Sequence, residues 1–204
     1  AGETHYGNTD LLYSGIDDLE LEKISLFKKA CKSQNIELKA LEKWLDEIKN
    51  VNLLVIGDTI VDPYVACDAM GMSAEAPVLV VRELESREFI GGAAIVASHL
   101  SALGASCYFL SVVGDDLHAG HVKEELTKCD VKTQLILDPS RPTTYKIRYM
   151  VDNQKLFRVS QLKEHKISSE IEEQVIEKIY ELAPTIDGIL VSDFVYGVIT
   201  EKVL

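Results

Sequence analysis

The sequence lacks the marks of several protein classes. Its four cysteines, Cys31, Cys67, Cys107 and Cys129, are far apart and form no CxxC pair. That spacing argues against a zinc module and against a disulfide framework; it reads as free buried thiols in a reducing, cytoplasmic setting. No apolar run reaches the length of a membrane span, and no charged-then-apolar leader opens the chain. Basic residues are outnumbered: 21 Lys and Arg face 33 Asp and Glu, a formal charge of −12. Such a chain has no global attraction for nucleic acid or anionic lipid, so neither is an expected partner. There is also no GxxxxGK[ST] phosphate loop, no GxGxxG and no GxSxG. His118 and His121 stand three apart without a third ligand at metal spacing, and read as surface helix residues.

What is present is an ordinary globular composition. The 204 residues are 47% hydrophobic, enough for the core of one domain with an appendage or of two small domains. Residues 1–50 read apart from the rest, as a helical N-terminal extension or linker. Ala1 to Gly15 is polar and turn-rich, and Asp17 to Lys49 has helical periodicity broken at Ser33-Gln34-Asn35. Trp44 is expected to be an apolar anchor against the main domain. The chain opens on Ala1-Gly2 without methionine, which reads as a processed or cut terminus.

From Val51 the pattern changes. Val51 to Gly57, Ser106 to Val113 and Gly188 to Ser192 are short apolar runs of the kind that form buried parallel strands. Helical stretches at Ala93–Leu103, Leu117–Lys128 and Ser168–Leu182 alternate with them, and Thr200 onward reads as the start of another helix. The class is therefore α/β with a mainly parallel sheet. Two stretches break the alternation. Residues 65–83 are mixed, and residues 144–160 read as a hairpin around Asp152-Asn153. Both are expected to be strands outside the main sheet.

In open α/β sheets a ligand sits beyond the carboxyl ends of the strands. Asp58 follows the first strand directly and Asp62 lies one short turn on; carboxylates there can accept hydrogen bonds from vicinal hydroxyls, or serve as turn and cap residues. Gly91-Gly92-Ala93-Ala94 opens a helix, either to let a ligand approach the backbone or to pack the helix closely on the sheet. Gly114-Asp115-Asp116 reads most simply as a turn and N-cap. On the hairpin, Lys146, Arg148, Lys155 and Arg158 form a basic set. Lys146 and Arg148 share a strand face by period two, a pair able to grip a phosphate, with solvated strand charges as the alternative. Asp193 is a further carboxylate at the strand ends.

As a set these segments resemble the ribokinase-like (PfkB-type) carbohydrate kinases. Gly91-Gly92-Ala93-Ala94, Ala97, Gly104 and Gly114 fall at the spacing of that family's first signature, and Gly114-Asp115-Asp116 with Gly120 matches its next turn. The likeness is strongest to the heptose-7-phosphate kinases of the ADP-heptose pathway. It is carried by Gly57-Asp-Thr-Ile-Val-Asp-Pro-Tyr64, Ser73-Ala-Glu-Ala-Pro-Val78, Pro142-Thr-Thr-Tyr-Lys-Ile-Arg148, Asn153-Gln154 and Ser192-Asp193-Phe194 with Gly197. It runs from about Val51 to the last residue.

The resemblance implies a partial three-layer sheet under a small β-sheet lid, with lid strands near 65–83 and 144–160. It implies ATP and Mg²⁺ as cofactors, a phosphorylated sugar as ligand and a homodimer formed through the lid. Asp62 would meet sugar hydroxyls and Gly91-Gly92 would lie against the sugar. Lys146, Arg148 and Arg158 would approach the sugar phosphate, with Asp58 and Asp193 at the edge of the site. There are departures. The family's Asn after the Gly-Gly pair falls at Ile95, an acidic residue of the second lid strand at Ser160, and a Lys before Gly197 at Tyr196. The Gly-Ala-Gly-Asp segment that carries the family's catalytic base, and its nucleotide loops, are expected beyond Leu204. The function expected of residues 51–204 is thus the sugar-phosphate-binding portion of such a kinase, with no catalytic residue of its own. The alternative is a non-catalytic sugar-phosphate-binding or dimerisation protein of the same descent.

Overall fold

The computed structural model describes residues 16–152 and 154–204, with side chains from Leu21 onward. Asn153 and the polar stretch 1–15 lie outside the described residues. The chain divides into two compact units at Glu47/Ile48. In the first, α1 (Ile16–Ser33) and α2 (Leu38–Ile48) are separated where Asn35 takes a left-handed conformation, φ 54°. Asparagine tolerates that geometry better than most residues, so the Ser-Gln-Asn break acts as the sequence indicates. In this unit Trp44 is 69% exposed.

The second unit is built on a sheet that follows the apolar runs. β1 (Asn52–Gly57), β4 (Ser106–Val113), β5 (Lys132–Leu137) and β8 (Gly188–Ser192) lie in the order β5-β4-β1-β8, all parallel. The central strands are apolar at successive positions because both faces are covered. Leu54, Ile56, Leu110 and Val112 point to one face, under Ile171, Val175 and Leu182 of α5 (Ser169–Leu182). Val55, Cys107 and Phe109 point to the other, under Ala93, Ala94 and Ala97 of α3 (Ala93–Ala102) and Val122 and Leu126 of α4 (Leu117–Lys128). Alanines at the α3 contact keep that helix close to the sheet. The result is a three-layer α/β core.

Two helix starts carry side-chain caps. Asp116 accepts from the Ala119 amide at 3.1 Å to begin α4, and Ser168 accepts from the Ile171 amide at 3.3 Å to begin α5. Residues after Thr200 form a single turn, in which the Thr200 carbonyl receives the Val203 and Leu204 amides.

The second sheet is mixed, in the order β3-β2-β6-β7. It comprises β2 (Thr59–Met72), β3 (Leu79–Gly92), β6 (Thr144–Val151) and β7 (Gln154–Gln161). β2 pairs antiparallel with β3 and parallel with β6, and β6 pairs antiparallel with β7. The strands outside the main sheet are therefore where the sequence puts them, but β2 and β3 are longer than expected. β2 begins at Thr59, immediately after β1, so Asp62 sits within a strand and not in a turn. No described helix is long and apolar enough to cross a membrane.

Candidate phosphosugar site

Where β1 ends, Asp58 is buried, at 1% exposure. Its Oδ2 accepts from the amides of Phe194, at 2.8 Å, and Tyr196, at 3.2 Å; its Oδ1 accepts from Val198 at 3.3 Å. Burial pushes this carboxyl above its ordinary pKa, the nearby Asp193 charge adds to that, and the three amides pull the other way. Asp58 thus ties down the loop after β8, which leaves it little capacity for a ligand. Asp193 is exposed, with Oδ1 receiving the Val195 amide at 2.7 Å.

The same loop is held from its other side by Arg141, which no sequence motif singles out. Its Nε donates to Asp138 at 2.8 Å, its Nη1 to the Tyr196 carbonyl at 2.9 Å and its Nη2 to the His165 carbonyl at 2.9 Å. Between these anchors Val195 takes φ 63°. That is a strained conformation for a β-branched residue, kept only where the surroundings over-determine it. The outcome is a Tyr196 backbone held at both its amide and its carbonyl.

Tyr196 meets the lid at Lys146. The Lys146 ammonium hydrogen-bonds the Tyr196 hydroxyl and lies 4.4 Å from the ring centroid. Lys146 is 6% exposed, and among the described residues no carboxylate comes within ion-pair distance of it. Arg148, two positions on along the same strand face, forms an ion pair with Asp62 and lies over the Tyr64 ring at 5.2 Å. Both members of that pair are more than four-fifths buried, with side chains 18% and 17% exposed. Gly91 is the floor beneath Asp62: a Cβ there would come within 2.6 Å of Asp62 Oδ2. Gly92, at φ 62°, turns the end of β3 into α3, and a side chain there would strike the Asp58 carbonyl at 2.3 Å.

Of the residues singled out in the sequence, the structure brings together Asp62, Gly91, Lys146 and Arg148, with Gly92 alongside. Arg158 pairs with Arg148 in the β6–β7 register but is exposed, and Lys155 is exposed near the hairpin tip. The Gly114-Asp115-Asp116 segment acts as a turn and cap. Asp116 also accepts from the Thr143 amide at 2.8 Å, tying that cap to the lid's root. His118 and His121 are not plain surface residues. His118 stacks on Tyr145 at 3.9 Å, and His121 Nε2 is buried 3.7 Å from Glu88 Oε2 with no hydrogen-bond partner.

The result is a buried cation and an ion-paired carboxylate on one strand face, with a glycine floor beneath the carboxylate. In comparison with known proteins, residues 50–181 match the family described as pfkB family carbohydrate kinase. The chain belongs to that family. It is 36% identical over 170 residues to the bifunctional protein HldE of Geotalea uraniireducens, an alignment covering 83% of the chain and 35% of that relative. The chain therefore spans about a third of that relative's length. Among solved structures, phosphofructokinase-2 from Escherichia coli in complex with fructose-6-phosphate superposes with a TM-score of 0.54. The match has 14% identity and covers 70% of the chain and 45% of that structure. A protein of Agrobacterium tumefaciens assigned as a ribokinase gives 0.51 at 16% identity, over 69% of the chain and 44% of that structure. The fold is ribokinase-like, as the sequence motifs imply.

Kinases of this pfkB family generally use ATP and a divalent metal. Among the described residues no group of three or more His, Cys, Asp or Glu is arranged to hold a metal ion.

Proposed function

We propose that residues 51–204 form the acceptor side of an ATP-dependent carbohydrate kinase of the heptose-7-phosphate kind, binding a phosphorylated sugar between lid and sheet. The observation that carries this reading is Lys146: a buried ammonium without a carboxylate is costly unless an anionic ligand completes it. Beside it the Asp62 carboxylate is available to sugar hydroxyls. The 204 residues contain no Gly-Ala-Gly-Asp segment, so these residues alone are expected to bind and not to transfer. We place the protein in the cytoplasm, in keeping with its free thiols.

Homodimerisation belongs to the same proposal. On the lid face opposite Lys146 and Arg148, Phe157 and Val159 are exposed beside Tyr149 and Ile147. An apolar sheet face of that kind favours a second copy.

The test is calorimetric titration with heptose 7-phosphate, followed by ADP release in the presence of ATP and Mg²⁺. Binding without ADP release by the 204-residue chain is expected. No binding, or turnover by this chain alone, overturns the reading. Ile95, Ser160 and Tyr196 favour a second reading, a non-catalytic sugar-phosphate-binding or dimerisation relative, because three positions depart together from the heptose-kinase pattern. Binding without turnover by the whole gene product supports that alternative.

A further inference from the structure

Lys146 and Arg148 share a strand face, yet their electrostatic situations differ. Arg148 is neutralised by Asp62. Lys146 has the Tyr196 hydroxyl and ring, and its cross-strand neighbour on β7 is Ser160, not an acid. An ammonium has three donors, and a hydroxyl can both donate and accept. The Tyr196 backbone cannot drift, because Asp58 holds its amide and Arg141 its carbonyl.

We propose that Tyr196 is a specificity-determining residue of the phosphosugar site: Lys146 Nζ and Tyr196 Oη jointly receive a phosphoryl oxygen of the ligand, while Arg148 remains with Asp62, which reads sugar hydroxyls. This division of labour rests on the phosphosugar reading above. It makes Tyr196, absent from the basic set read in the sequence, one of two phosphate donors. It also makes Arg148 a positioning residue for Asp62. Binding breaks no covalent bond; the phosphoryl oxygen takes the place of solvent at the two donors.

The experiment titrates the full chain and two variants with heptose 7-phosphate, with the same heptose lacking phosphate, and with ATP. Tyr196→Phe keeps the ring over Lys146 and removes only the hydroxyl. It should weaken heptose 7-phosphate binding about ten-fold or more, the effect of losing a hydrogen bond to a charged group, and leave the unphosphorylated sugar unchanged. Arg148→Ala should weaken both sugars alike. An unchanged ratio of phosphorylated to unphosphorylated affinity in Tyr196→Phe overturns this inference while leaving the phosphosugar reading intact. A loss confined to ATP also overturns it, since the oxygen would then belong to the nucleotide. Failure of the unaltered chain to bind heptose 7-phosphate overturns both.

Discussion

Arg141 Nη1 lies 2.9 Å from the carbonyl oxygen of Tyr196, a contact between residues 55 apart in sequence that fixes one side of the loop after β8. Asp58 fixes the other side through the amides. A carboxylate and a guanidinium, one at the end of β1 and one before β6, thus grip one short segment between them.

Arg141→Met should be severely destabilising. It leaves Asp138, whose side chain is 5% exposed, as a buried carboxylate without its cation. Breaking one partner of such a pair costs about 3–5 kcal/mol. Denaturant titration at neutral pH reads the loss directly. A change under 1 kcal/mol, as is typical of an exposed ion pair, would mean that the contact does not anchor the loop.

Lys146→Met should have the opposite effect on stability. Exchanging a buried, carboxylate-free ammonium for an apolar chain of similar length is expected to leave the melting temperature unchanged or raise it, while heptose 7-phosphate binding disappears. A lower melting temperature would make Lys146 a structural residue and not a ligand-binding one.

Acid should weaken the fold through Asp116 and Asp138. Burial alone would raise both carboxyls. For Asp116 the Thr143 and Ala119 donors outweigh burial, and for Asp138 Ser140 and Arg141 do, so both end below their ordinary 3.8. A carboxyl with a depressed folded pKa contributes stability that is present above its unfolded value and lost as pH falls through the folded one. Urea midpoints measured from neutral pH downward should drop below about pH 4. Asp116→Ala should start lower and show a shallower acid slope; an unchanged slope removes Asp116 from the account.

Thiol chemistry should single out one cysteine. Cys129 is exposed, whereas Cys31, Cys67 and Cys107 are buried. Burial pushes the Cys107 thiol up to about 11, far from the thiolate form at neutral pH. A disulfide reagent at neutral pH should label one equivalent quickly in the folded protein and the others only after unfolding. Fast labelling of Cys107 would contradict its packing against α3 and the neighbouring strands.

The parallel core was legible because its strands carry apolar residues on both faces, which gives unbroken runs such as Leu53 to Ile56. The lid was legible in place but not in extent. Much of β3 is exposed, so its side chains carry no burial alternation to mark its ends. Lys146 and Arg148 could be paired from period two, whereas Asp62 was read in a turn and its strand position opposite Arg148 was not legible. Nor were the contacts of Asp58: an aspartate after a strand looks alike whether it faces a ligand or three backbone amides. Arg141 and Tyr196 escaped for a related reason. Their partners are main-chain atoms or side chains some fifty residues away, and such contacts leave no local spacing in the sequence.

The central place of β1 also bears on how the chain is made. Its edge toward β8 stays open until Gly188–Ser192 exists, and the Asn52–Asp187 contact at that seam spans 135 residues. At ribosomal speeds of about 5–20 residues per second, the nascent protein carries an apolar strand with one unpaired edge for on the order of ten seconds. During synthesis that edge is where a chaperone has most to protect, and where a slowed ribosome would most readily turn folding into aggregation.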